Sequence, residues 1–290
     1  NFSYISKIRP KYAFIVDIRR GNLIQHILYK AIFELAPSRS EFLSVLFSKP
    51  IPDAYGDKTD GPIDEIVSMF DKLPGDRAFL NKNILKIQAL ARDYDINTSS
   101  EDLSQIEQIM SVLFEQNLDL RWEWRSPWRR GVYFPKYREI LLSKDLDGEY
   151  GTYLNRNEDY DFIRRLQEEN SIIPVVGNFA GKHTLSEISK YIKDREDHVS
   201  AFYISNVEYY LLPDGVMHQF AMNVRSLPID QRSVLIRAFV NARWGKHPAA
   251  KGNHTMTNVL QYMESFNKLY EEGRYRTYWD IGTADYISLE

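Results

Sequence analysis

The run Tyr12-Ala13-Phe14-Ile15-Val16-Asp17-Ile18 is apolar or aromatic at every position except Asp17. A strand with one solvated face alternates apolar and polar residues, whereas a short continuous apolar run suits a strand buried on both faces. Helices covering both sides of a parallel sheet create that environment. The run therefore predicts an α/β fold, with an acid placed where such sheets bind ligands, at the carboxyl end of a strand.

The segments around it support the same class. Phe2 to Ile8 has helical spacing and stops before Pro10. Gly21-Asn22 opens a helix from Leu23 to about Leu35, closed by Pro37, and a second helix runs from Arg39 to Phe47. Residues 50–64, with Pro50, Pro52, Gly56, Gly61 and Pro62, read as a loop. Residues 63–118 read as helical pieces broken at Pro74-Gly75 and at Asn97 to Ser100. Ser99 and Ser100 precede Glu101-Asp102, a cap followed by acidic first-turn residues. Residues 119–150 are aromatic and basic, with no assignable period.

Alternation resumes near residue 157. Asp159 to Asn170 reads as a helix and Ile172 to Val176 as a strand leading into Gly177-Asn178-Phe179-Ala180-Gly181. Thr184 is placed to cap a helix to Lys193, with Glu187 at the capping-box position. Val199 to Asn206 and Ser233 to Phe239 read as strands around a helix from Met217 to Val224. Thr255 to Glu272 reads as a long helix closed by Gly273, with Tyr275 to Trp279 and Asp285 to Ile287 as late strands.

Strands separated by helices imply parallel pairing with right-handed crossovers. The expected fold is α/β, a Rossmann-like, doubly wound and mainly parallel sheet, forming a single domain over 1–290. A largely helical insertion, 50–160, lies between its second and third strands. Polar clusters after four strands (Asp17-Ile18-Arg19-Arg20, Gly177-Asn178-Phe179, Ser205 to Glu208, and Asn241-Ala242-Arg243) are expected to converge on one crevice.

Composition narrows the chemistry. With 43% hydrophobic and 27% charged residues the chain is ordinarily globular, and its 19 Tyr and 15 Phe supply large core side chains. A net charge of -3 argues against an extended nucleic-acid surface. The absence of cysteine excludes disulfides, thiolate metal sites and a cysteine nucleophile. No apolar run reaches the ~18 residues of a transmembrane segment. The chain starts at Asn1, so a natural N-terminus, with any signal peptide or lipid anchor, is expected to precede it. A cytoplasmic location and a periplasmic or envelope one both stay open.

In order and chemistry, residues 1–35 and 170–240 resemble the class I S-adenosylmethionine-dependent methyltransferases. Over nearly its whole length the chain is also similar to a family of bacterial proteins sharing the runs NFSYI, AFIVDIRR, PVVGNFAG, AFYISNVEYYL and YWDIGTADYI, present here from residues 1, 13, 174, 201 and 278. In that family a glycine-rich stretch precedes NFSYI, so the loop for the methionine part of the cofactor is expected ahead of Asn1.

The resemblance implies a cofactor, S-adenosylmethionine, and roles by position. Asp17 would accept hydrogen bonds from both ribose hydroxyls, with Ile18 and Arg19 beside it. Gly177, Asn178 and Phe179 would meet the adenine; Asn178 stands where Asp is usual and accepts through its amide oxygen. Asn206, Glu208 and Tyr209 would face the methyl group, Glu208 as a base and Tyr209 with Tyr210 lining a pocket. The Pro-Pro-aromatic motif of amino methyltransferases is absent, which argues against base N-methylation. The insertion would cap the acceptor site, and the acceptor itself is not implied.

Other readings of the same residues stay open. Asp17 can pair with Arg19 or Arg20 or cap the helix at Gly21-Asn22, and Gly177 to Gly181 can be a plain turn. Asn206 and Glu208 can cap a helix after a core strand. Arg19-Arg20 can hold a ribose 2'-phosphate, as in an NADP-dependent oxidoreductase, although no Tyr-x-x-x-Lys pair follows the fourth strand. A non-catalytic, envelope-associated protein on the same fold is a further alternative. Three of the five Trp lie in Arg121 to Arg130 with four Arg, a pattern for a lid or partner-facing loop. His247 and His254 flank a polar stretch read as a surface loop without a third metal ligand. No Walker P-loop, HExxH or GxSxG is present.

Overall fold

The computed structural model describes residues 1–121, 134–241, 245–252 and 254–288. The chain is mixed α/β and divides into two compact units, Asn1–Val176 and Gly177–Glu290. Among the described residues the strands form two small sheets, one of two strands and one of three. The single extended sheet that the strand–helix alternation predicts is not among them.

The first unit is mostly helical. Helix α1 (Phe2–Ile8) leads to strand β1 (Ala13–Asp17), which pairs in parallel with β2 (Ile172–Val176), Ala13 opposite Ile172 and Asp17 opposite Val176. Only Ile15 of β1 is buried; its neighbours are half-buried, so the strand is less enclosed than its composition predicts. Between the two strands lie α2 (Arg20–Leu35), α3 (Arg39–Phe47), α4 (Ile63–Lys72), α5 (Arg77–Asp93), α6 (Ser100–Gln116), α7 (Tyr137–Leu141) and α8 (Asn157–Glu168). Ile24, Ile27, Leu28, Ala31 and Ile32 of α2 recur at helical spacing and are buried, which makes α2 the centre of this core. It packs against α3, α5, α6, α8 and β2. Ser99 does form a capping box for α6. Its Oγ accepts from Asp102 N at 3.2 Å, and Asp102 Oδ2 accepts from Ser99 N at 2.9 Å.

His26 is buried on the opposite side of α2, which it shares with Tyr29 and Phe33, and lies edge-on to Phe2 and Tyr29 at centroid distances of 5.7 and 5.9 Å. Burial pushes its pKa down to about 4, so the folded protein holds it neutral. Below the unfolded value near 6.5 the unfolded chain binds a proton that the native state refuses. Stability is therefore expected to fall from pH 6.5 towards pH 4 and to level off below it. The loss at pH 4.5 is on the order of 2–3 kcal/mol. Urea unfolding at pH 7 and 4.5 checks this: His26→Leu should flatten that part of the profile, and an unchanged slope in the variant would refute the assignment.

In the second unit, α9 (Thr184–Lys193) precedes β3 (Ala201–Ser205), followed by α10 (Glu208–Leu211), α11 (Met217–Ser226) and β4 (Val234–Val240). Strands β3 and β4 run parallel, with a register shift between Tyr203 and Ser205. Two expectations need correction here. Thr184 does not cap α9; it is the first helical residue, and its Oγ1 accepts from Asn178 N at 3.2 Å. Residues 255–272 are not one helix. Strand β5 (Met256–Tyr262) runs antiparallel to β4, and only then does α12 (Met263–Glu271) begin. Val259, Met263, Phe266 and Tyr270 are spaced like one helix face across the strand–helix junction. The strand shows in the alternate burial of Thr257, Val259 and Gln261.

The late strands are also corrected. Tyr275 to Trp279 runs into α13 (Tyr278–Thr283), opened by a Thr277–Asp280 capping box. Asp285 to Ile287 forms no assigned strand, although Ile287 N donates to Leu260 O on β5 at 2.8 Å. Among the described residues no helix is long and apolar enough to cross a membrane.

Candidate functional site

The carboxyl ends of β1 and β2 lie side by side because Asp17 is in register with Val176, and Gly177 follows Val176 directly in the chain. Asp17 is engaged by Arg19. Its Oδ1 accepts from Arg19 N at 2.8 Å and from Arg19 Nε at 3.0 Å, and its Oδ2 accepts from Arg19 Nη2 at 2.9 Å. The guanidinium holds the Asp17 carboxyl below the usual carboxylate range. The next residue in the chain, Ile18, is 69% exposed, and the register partner of Asp17, Val176, is 45% exposed. Arg20 is committed elsewhere. Its Nε and Nη2 donate to Asp102 at 2.9 and 2.6 Å, and Nη2 also donates to Asn97 O at 3.0 Å. Asp17, Ile18 and Arg19 are thus together, while Arg20 ties the start of α2 to the start of α6.

The Gly177 to Gly181 loop is held by its own side chains. A Cβ on Gly177 would lie 2.3 Å from Thr184 Oγ1, so glycine is required here by the turn itself. Asn178 Oδ1 accepts from Ala180 N at 2.9 Å, which commits the oxygen expected to meet an adenine amine. Asn223 Nδ2 on α11 donates to Phe179 O and Gly181 O at 2.7 and 2.8 Å. Phe179 packs edge-on against Phe202 of β3 at 5.1 Å.

Strand β3 ends in a left-handed residue, Ser205, with φ 54°. A non-glycine residue in that region carries local strain and persists only where its surroundings impose it. The register of β3 on β4 also shifts here, between Tyr203 and Ser205. Glu208 is buried, and its carboxylate accepts a two-pronged hydrogen bond from Arg237 of β4, Nε to Oε2 at 2.8 Å and Nη2 to Oε1 at 3.2 Å. Arg237 Nη1 donates to Gln261 Oε1 at 3.0 Å, and Gln261 Nε2 donates to Ala284 O at 2.8 Å and Tyr275 Oη at 2.9 Å. Glu208 is thus held inside the unit by a cation. Asn206 and Tyr209 remain half-buried at the strand end, Tyr209 edge-on to Tyr278 at 5.4 Å.

Among the remaining expectations, Asn241 caps the end of β4 through His254 O, Thr257 Oγ1 and His247 N. Ala242 and Arg243 lie outside the described residues. So does the Trp/Arg-rich stretch from Trp122 onward. The stretch after His247 is a surface loop, exposed at Pro248, Lys251 and Gly252, but His247 itself points inward. It is buried, with Nδ1 accepting from Ala249 N at 3.0 Å and Nε2 facing Gly282 O at 3.0 Å. That geometry places the proton on Nε2, and burial holds the pKa below its ordinary value.

Sequence reasoning missed Arg237 and Gln261. Their signal was present: Arg237 interrupts the otherwise apolar run Val234 to Val240, and a charge inside a core strand calls for a buried partner.

A family model described as Domain of unknown function (DUF7790) matches residues 77–284. The chain belongs to this family. No curated protein matches it. The DUF7790 match covers α5 to α13, both β2 and the three-stranded sheet, and with them the Gly177 to Gly181 loop and the Glu208–Arg237 pair.

Proposed function

We propose that this DUF7790 chain binds S-adenosylmethionine in the manner of the class I methyltransferases, on a Rossmann-like framework, and serves methyl transfer to an acceptor. One observation carries the reading. An ionised carboxylate, Asp17, stands at the carboxyl end of a parallel strand pair, with exposed apolar residues next to it in the chain (Ile18) and opposite it in register (Val176). A ribose diol with an attached planar base fits that arrangement, the diol donating to Asp17 and the base lying on apolar surface. The residues at Gly177, Asn178 and Phe179 continue directly from Val176.

When bound, the cofactor supplies a methyl group already activated by its sulfonium. What remains for the chain is orientation and the exclusion of water. Glu208 is buried and its carboxylate is engaged by Arg237, which leaves it a structural role.

Calorimetry of the full-length protein tests the reading. Titration with S-adenosylhomocysteine should give saturable heat, and Asp17→Ala should weaken binding by at least about tenfold, since each hydrogen bond to a charged group contributes about 1.5–3 kcal/mol. No heat from either S-adenosylmethionine or S-adenosylhomocysteine would sink it.

A second reading, a non-catalytic binding protein on the same framework, is favoured by two contacts: the buried Glu208–Arg237 pair and the occupied oxygen of Asn178. It shares the binding result and differs in yielding no S-adenosylhomocysteine from S-adenosylmethionine with any acceptor offered.

A further inference from the structure

The contact between Arg19 and Asp17 reproduces the donor pattern of a cis-diol. Two N–H groups, Nε and Nη2, reach the two carboxylate oxygens at 3.0 and 2.9 Å, one to each. With the backbone N–H of Arg19 they take three of the roughly four lone-pair sites of the carboxylate, one too many for a ribose presenting both hydroxyls. The third hydrogen bond, from the backbone N of Arg19 to Oδ1 at 2.8 Å, does not depend on the side chain. It keeps the carboxylate oriented whether or not the guanidinium is there. The guanidinium is also easily moved. The Arg19 side chain is 75% exposed and that of Asp17 21%, so the pair sits at the surface, where such bridges are weak and screened by salt.

We propose that Arg19 is an intramolecular competitor for the diol site: its side chain occupies Asp17 in the free protein and must leave before a neutral nucleoside binds, so that Arg19 sets the affinity of the site. This rests on the nucleoside-binding reading of Asp17. It adds a residue whose effect is opposite in sign to that of an ordinary binding residue. Removing a contact residue weakens binding, whereas removing a competitor strengthens it.

The probe is adenosine, which is uncharged and carries the diol, with S-adenosylhomocysteine as a second ligand. Each is titrated by calorimetry into the full chain as wild type, Arg19→Ala and Asp17→Ala. Arg19→Ala should tighten adenosine binding about two- to fivefold, the range spanned by an exposed ion pair. Raising the salt concentration should tighten binding to the wild type, because it loosens the competing pair, and should leave Arg19→Ala unchanged. A merely structural role for Arg19 would not produce that salt response. Arg19→Met keeps the aliphatic stem and replaces the alanine variant if the latter melts at a lower temperature. Unchanged or weaker binding in the arginine variants, with the wild type binding normally, overturns the competitor proposal and leaves the nucleoside reading standing. Absence of binding in every protein, Arg19→Ala included, overturns both.

Discussion

Arg237→Met is expected to destabilise the protein by about 3–5 kcal/mol, because it strands a buried carboxylate. Arg237 and Glu208 each retain only 2% side-chain exposure, so neither has water to fall back on. Their two-pronged contact, with Gln261 taking a third guanidinium N–H, offsets the cost of burying both charges. Glu208→Leu leaves the guanidinium stranded instead and should cost a similar amount. The double variant Arg237→Met/Glu208→Leu removes both charges and should recover most of the loss, since a buried ion pair contributes little over apolar residues of similar volume. Denaturant unfolding of the four proteins completes a double-mutant cycle with a coupling of several kcal/mol. Additive single effects, each under about 1 kcal/mol, would show that the pair is not the anchor its burial implies. The anchor matters for the site because Glu208 follows Ser205 and Asn206 by only three and two residues.

Arg39→Ala is expected to cost about 3–5 kcal/mol by a different route, the loss of a clamp between two loops. Arg39 is buried at the start of α3. Its Nη2 donates to Asp60 O and Gly61 O at 2.8 and 3.0 Å, and its Nη1 to Leu154 O and Asn155 O at 3.0 and 2.8 Å. Its Nε donates to Asn157 Oδ1 at 2.5 Å. One planar fork thus satisfies four backbone carbonyls from segments nearly a hundred residues apart in sequence. Arg39→Lys should recover little, because an ammonium cannot direct donors along the two fixed directions that the loops require. Thermal unfolding of both variants measures this. A lysine variant as stable as the wild type would mean that the charge, and not the fork, is what the loops need.

The two predictions concern residues that sequence reasoning passed over, and the reason is physical. Arg39 opens α3 at a position where an exposed arginine is ordinary, and its loops are too remote in sequence for any local pattern to signal them. Arg237 was more legible, since a charge within Val234 to Val240 contradicts the surrounding apolar run. Its partner was not, because Glu208 looks like a solvent-facing base until the packing of β3 on β4 is known. The stretch 255–272 failed for a related reason. Its apolar spacing fits one helix, and only pairing with β4 decides that Met256 to Tyr262 extends as a strand.

The candidate site divides along the same line. Sequence by itself determined that Ala13 to Asp17 is a strand ending in an acid, that Ile172 to Val176 is a second strand, that Ser99 caps α6, and that the chain is α/β. These depend on local periodicity, capping and turn chemistry within a few residues. Only the tertiary structure decided what the charged groups do. It put Asp17 opposite Val176, gave the Asp17 carboxylate to Arg19, sent Arg20 to Asp102, and buried Glu208 against Arg237. Each of those outcomes is a choice among partners far apart in sequence. That choice is made by which side chains packing brings within hydrogen-bond reach and by the cost of leaving a charge unpaired once water is excluded.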